Sequence, residues 1–287
     1  MDNSGLFNIR NKVAVITGGG GILCGEMARA LSKHEVKVAI LDLREDVAVG
    51  LADDIVKHGG KAVGLACNVL DKESIKKASV RILELFGRVD ILINGAGGNS
   101  PKATTAKETL EPEDLKKIDV LGNKSFFDMD QEGVKFVFNL NFLGTLLPTQ
   151  VFAKLMAEQG DGGNIVNISS MNAFRPLTKI PAYSAAKAAV SNFTQWLATH
   201  LSPVNIRVNA IAPGFFLTDQ NRFLLVDEKT GKLTPRGETI INHTPMRRFG
   251  DPADLIGSLI WLVSPASEFV TGIVVPVDGG FSAFSGV

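Results

Sequence analysis

Val13-Ala-Val-Ile-Thr-Gly-Gly-Gly-Gly-Ile-Leu-Cys-Gly25 opens on five residues of strand character and passes through four glycines into a helical pattern. An apolar run bounded by glycine reads as a strand buried on both faces. Glycines let the backbone turn sharply and approach a ligand closely, and the first N–H groups of the next helix make an anion site. Strand, glycine loop and helix in that order open a nucleotide-binding βαβ unit. Gly18, Gly21, Ile22 and Leu23 stand where such a loop meets a pyrophosphate.

Working outward, further strand-length apolar runs recur at Val36–Asp42, Ala62–Ala66, Val89–Asn94, Asn164–Ser169, Ile206–Ile211 and Ile273–Val277. Helical patterns lie between them near 25–33, 45–58, 72–86, 132–158, 181–202 and 252–264. Continuous apolar strands alternating with helices predict a seven-stranded parallel sheet covered on both faces: an α/β, doubly wound Rossmann domain spanning residues 1–287. Two stretches break the rhythm, 99–130 and 215–250. Both follow the carboxyl ends of strands, where open α/β sheets bind ligands, and are expected to wall a substrate site.

The composition narrows the function classes. Thirty basic residues balance thirty acidic ones and no stretch is strongly basic, so no nucleic-acid footprint is present. The longest apolar runs are strand-sized, and the N-terminus lacks the charged and apolar regions of a signal peptide, so no membrane span is expected. Cys24 and Cys67 are too few for a disulfide framework or a zinc site and read as small core or loop residues. The chain is expected to be soluble and cytoplasmic.

Asp42 ends the second strand about twenty residues after the glycine loop, where a carboxylate accepts hydrogen bonds from both ribose hydroxyls and repels a 2′-phosphate. That favours NAD, while the neighbouring Arg44 keeps NADP as the lesser alternative. Asn94-Gly-Ala-Gly97 closes the fourth strand with residues small enough for a close-lying ligand. Tyr183 is the only tyrosine in the chain, and Lys187 follows it by one helical turn. A phenol titrates near pH ~10, and a nearby ammonium is expected to lower that value; ~3 units would correspond to ~4 kcal/mol.

Tyr183-Ser-Ala-Ala-Lys187, with Ser170 thirteen positions before Tyr183, resembles the short-chain dehydrogenase/reductase family. The resemblance runs from about Lys12 to Gly280 and takes in Thr17-Gly18, Asn94-Gly-Ala-Gly97, Asn141, Pro213-Gly214 and Thr218. It implies that Tyr183 moves the proton at the reacting oxygen, Lys187 tunes Tyr183 and holds the nicotinamide ribose, Ser170 donates to the substrate oxygen, and Asn141 orders a water. It also implies cofactor contacts from Asn68, Val69, Asn94, Ala96, Gly97, Pro213, Gly214, Phe216 and Thr218. Hydride transfer would be coupled to the Tyr183 proton and needs no metal. Members are often homotetramers. The chain departs from the family pattern in three places: Ile22 and Cys24 replace loop glycines, Asn68 stands for an Asp, and Gly95 replaces an Asn.

Within the family, Asn94-Gly-Ala-Gly-Gly-Asn99, Ser169-Ser-Met-Asn-Ala-Phe-Arg175 and Pro213-Gly-Phe-Phe-Leu-Thr-Asp-Gln-Asn-Arg222 look like the branch of D-mannonate oxidoreductases, or fructuronate reductases. A sugar acid needs a cation for its carboxylate and amides or hydroxyls for its alcohols. Asn99, Asn172, Arg175, Asn221, Arg222, His243 and Arg247 are expected to frame the pocket, with Ser170 on the reacting oxygen. Arginine suits a carboxylate because its fork binds bidentately. His243 also reads as a turn residue before Pro245. The alternatives are a polyol, neutral sugar, gluconate-type acid, steroid-like alcohol or 3-oxoacyl thioester as substrate, and a nicotinamide-sensing protein without turnover.

Overall fold

The computed structural model describes residues 5–116, 124–218, 222–227 and 230–286. Seven parallel strands form one sheet in the order β3-β2-β1-β4-β5-β6-β7. They are β1 Val13–Thr17, β2 Lys37–Asp42, β3 Lys61–Ala66, β4 Ile91–Asn94, β5 Gly163–Ile168, β6 Ile206–Pro213 and β7 Val274–Val277. Every residue of β1 and β4 is buried, which is why both read as unbroken apolar runs. The register pairs Thr17 with Asn94, so the two loops that follow β1 and β4 leave the sheet side by side. The strand order reverses there, and a crevice opens at such a switch point.

Helices cover both faces. On one face α1 (Ile22–Lys33), α2 (Glu45–Lys57) and α9 (Ile256–Val263) pack Met27, Leu31, Leu51, Ile55 and Leu259 against the sheet. On the other, α3 (Lys72–Phe86), α5 (Gly144–Gln159) and α6 (Pro181–Leu201) contribute Ile75, Ile82, Phe152, Met156 and Leu197. Among the described residues, the remaining α-helices are α4 (Gln131–Phe138), α7 (Arg222–Leu225) and α8 (Pro235–His243).

One helix expected from the sequence is interrupted in the structure. The helix expected over 132–158 runs from Gln131 to Gln159 but contains a π-turn at Asn139–Leu143 and Pro148 inside α5. That stretch is also long and apolar enough, at mean hydropathy 1.3, to pass as a membrane span. Val137, Phe152, Ala153 and Met156 are buried within the protein, which marks it as a core helix. The described parts of 99–130 form only short 3₁₀ turns, whereas 215–250 carries α7 and α8.

Candidate active site

The loop after β1 is held by contacts to its neighbour. Thr17 Oγ1 accepts from the N–H groups of Gly95 at 3.1 Å and Ala96 at 3.4 Å. Gly18 takes φ +60°, and a Cβ there would lie 2.8 Å from the Ala96 backbone, so only glycine fits. Gly21 precedes α1 and has no side chain to cap it, which leaves the first N–H groups of the helix aimed outward. The Asp42 carboxylate accepts from Gly20 N–H and from Arg44 N–H, each at 3.1 Å, which fixes it at the tip of β2.

A cleft of about 720 Å³ runs from Asp42 across the switch point to Tyr183. Gly18, Gly21, Ile22, Leu23, Asp42, Asn68, Val69, Ala96 and Gly97 line its first half, and Ser170, Tyr183, Lys187, Pro213, Gly214, Phe216 and Thr218 its second. Residues that sequence reasoning missed also stand on its wall: Gly98, Phe136, Leu140, Ser169 and Phe215. Phe136 lies in α4 and Leu140 within the π-turn, and nothing in their helical spacing distinguishes them from core positions.

Ser170 leaves β5 and takes the N–H of Asn172 on its hydroxyl at 3.2 Å. Pro181 starts α6 at a position where its missing N–H costs nothing, and the helix carries Tyr183 and Lys187 on one face. The Lys187 ammonium lies 5.7 Å from the Tyr183 ring centre. It is buried and donates to the Ile168 carbonyl at 2.7 Å. Burial pushes it down to about 8, with Cys24 opposing slightly. Burial also raises the Tyr183 phenol above its ordinary value, and the Ser170 hydroxyl pulls it back. Burial is the larger effect, and the lowering by Lys187 expected from the spacing is not seen. Asn141 is fully buried; its Nδ2 donates to the carbonyls of Gly98 at 2.7 Å and Val137 at 2.8 Å.

Several expected site residues stand elsewhere. Asn94 faces away from the cleft, donating to Thr149 at 2.9 Å and Asn167 at 2.8 Å, and is a buried prop behind it. Asn99 is exposed outside the lining, and Asn172 is buried behind Ser170. Arg175 reaches the Ser282 carbonyl at 3.3 Å, and Arg247 binds the Asn242 carbonyl and side chain at 3.2 and 3.1 Å. Arg222 is exposed, one turn after the cleft residue Thr218, whose carbonyl takes its N–H at 2.8 Å. Arg175 and Arg247 sit on loops whose path depends on tertiary contacts, whereas Arg222 starts α7. His243 is exposed and bonds Thr239 within its own helix, as a terminal-turn residue does. Asn221 lies outside the described residues.

The chain is similar to proteins of known sequence and structure. The family model described as short chain dehydrogenase matches residues 12–229. A Haemophilus influenzae protein provisionally named a D-mannonate oxidoreductase, crystallised with bound NAD, is 53% identical, with a TM-score of 0.90 and 98% of each chain covered. Two Escherichia coli enzymes are each 31% identical: 7alpha-hydroxysteroid dehydrogenase, over 98% of both chains, and 2-dehydro-3-deoxy-D-gluconate 5-dehydrogenase, over 96% of this chain and 98% of the other. With its parallel sheet, glycine loop and Ser170–Tyr183–Lys187 cluster, this chain belongs to the short-chain dehydrogenase family.

Proposed function

We propose that the protein is an NAD-dependent oxidoreductase that interconverts a secondary alcohol and a ketone on a sugar acid, with D-mannonate and D-fructuronate as the pair. The observation that carries this reading is the convergence of Ser170, Tyr183 and Lys187 at one end of a cleft whose other end holds Asp42. A dinucleotide suits the strip between them. A Cβ at Gly97 would stand 2.7 Å from Asn141 Oδ1 and 3.1 Å from Lys187 Nζ, so the backbone there is bare for a reason of space.

When bound, NAD supplies the carbon that accepts or returns a hydride. Asp42 receives the adenosine ribose hydroxyls and disfavours a 2′-phosphate. The open start of α1 takes the pyrophosphate. Lys187 holds the nicotinamide ribose, and Asn68, Val69, Gly214, Phe216 and Thr218 frame the remaining edges. Tyr183 takes the alcohol proton or returns it to the ketone oxygen, and Ser170 donates a hydrogen bond to that oxygen. Asn141 orders water behind Lys187. The carboxylate partner is Arg222, the one predicted arginine a single turn from the cleft wall.

The sugar-acid choice is supported by the name given to the Haemophilus protein and by the deoxygluconate dehydrogenase among the relatives. A second reading, a bulkier and less polar alcohol, is favoured by Phe136, Leu140 and Phe215 on the cleft wall and by the hydroxysteroid dehydrogenase. Nicotinamide absorbance followed with hexonates, hexuronates, polyols and hydroxysteroids separates the two. Turnover of D-mannonate above the others supports the first reading; preference for the steroid overturns it.

The assembly we propose is a cytoplasmic homotetramer. Trp196, 57% exposed, stacks on Phe193 and His200 along the outer face of α6, an apolar ladder that a second copy would cover. Light scattering giving the mass of one chain would contradict it.

A further inference from the structure

Asn141 sits in the π-turn Asn139–Leu143, where an extra residue is wound into the helix. Such a turn breaks the regular backbone ladder and persists where other groups satisfy what it displaces. Four residues on, the buried Thr145 hydroxyl donates to the Asn141 carbonyl at 2.9 Å. Thr149 repeats that contact on the Thr145 carbonyl at 2.7 Å, directly after Pro148, which has no N–H to give. Asn94, at the end of β4, donates to Thr149 Oγ1 at 2.9 Å. A buried chain of hydrogen bonds therefore runs from the sheet through Thr149 and Thr145 to the π-turn. At its far end the Asn141 carboxamide grips the backbone of one residue on both sides: Nδ2 donates to the Gly98 carbonyl at 2.7 Å, and Oδ1 accepts the Gly98 N–H at 3.2 Å.

We propose that Thr145 is a positioning residue: its hydroxyl sets the π-turn so that Asn141 clamps the Gly97–Gly98 strip beside Lys187. This deepens the function proposed above and rests on it. A threonine that bonds the carbonyl four residues back is common in ordinary helices and bends them slightly. Here the bond falls inside the π-turn, and the residue it holds grips the cofactor strip.

Thr145→Val keeps the shape and removes the hydroxyl, and Thr145→Ser restores it. Hydrogen exchange of the full chain reads the clamp without any substrate. Deuterium uptake over 95–100 should rise at least about tenfold in Thr145→Val, stay near wild type in Thr145→Ser, and not change in β3 or α3. In turnover, kcat should fall about tenfold or more with KM for NAD within about twofold, again rescued by serine. Unchanged uptake over 95–100, an equal rise across the whole sheet, or failure of serine to rescue would overturn the proposal. A wild-type protein inactive on every alcohol would sink the proposed function, while the exchange result would still decide the role of Thr145.

Discussion

Cys24 and Gly95 share one space: a Cβ on Gly95 would collide with the Cys24 sulfur, which is buried in the first turn of α1. Both positions depart from the family pattern, a cysteine for a glycine and a glycine for an asparagine. They are complementary, because the thiol fills what a side chain at 95 would occupy.

Gly95→Ala alone should therefore destabilise the protein by about 1–3 kcal/mol through overpacking. In a Cys24→Ala background that cost should shrink by at least ~1 kcal/mol, since the sulfur is gone and only the Thr17 carbonyl, at 2.8 Å, still crowds the added methyl. Urea denaturation of the two single variants and the double variant measures the coupling. Additive effects would contradict the shared-space account.

Asp42 is expected to set the cofactor. Its carboxylate is pinned by Gly20 and Arg44 N–H groups, which leaves its other lone pairs for a ribose diol. Asp42→Ala should weaken NAD binding and admit NADP. Titration of each dinucleotide tests this, and a wild type that binds NADP as tightly as NAD contradicts it.

Lys187 makes a pH prediction for stability. Burial holds its native value down to about 8, whereas an unfolded lysine titrates near ~10.4. Between those values the unfolded chain binds the extra proton, so this group's contribution to stability rises with pH across that window. Below about 8 the cost of burying the charge is present in full. The stability of Lys187→Met relative to wild type should therefore decline between pH ~8 and ~10. A difference that stays flat would show that the ammonium is not penalised by burial.

The strands were legible because their burial on both faces removes polar residues, as in Val13–Thr17 and Ile91–Asn94. Tyr183 and Lys187 were legible because helical spacing alone places them together. The π-turn under Asn141 was not, since one wound-in residue leaves no compositional mark. The direction of the Tyr183 shift was not legible either, because charge proximity can be read from spacing while desolvation depends on the packed fold. Arg175 and Arg247 stand away from the expected pocket for a related reason: their guanidinium groups follow loop paths set by Ser282 and Asn242.

Those positions leave Arg222 first among the candidate substrate arginines. A charge-assisted contact contributes about 1.5–3 kcal/mol, so Arg222→Ala should cut kcat/KM for the sugar acid by about 10- to 150-fold. A neutral polyol of equal length should be nearly unaffected. Arg175→Ala and Arg247→Ala should change little, because their bonds go to Ser282 and Asn242. Equal losses in all three variants would contradict the ranking.

Tyr183→Phe tests the central claim most directly, because it removes only the phenol oxygen facing Ser170 and keeps the ring. Calorimetric titration with NAD should give an affinity near wild type, while turnover of the sugar acid should fall by far more than tenfold, a barrier increase well above ~1.4 kcal/mol. A variant that keeps more than about a tenth of the wild-type rate would contradict Tyr183 as the group that moves the proton.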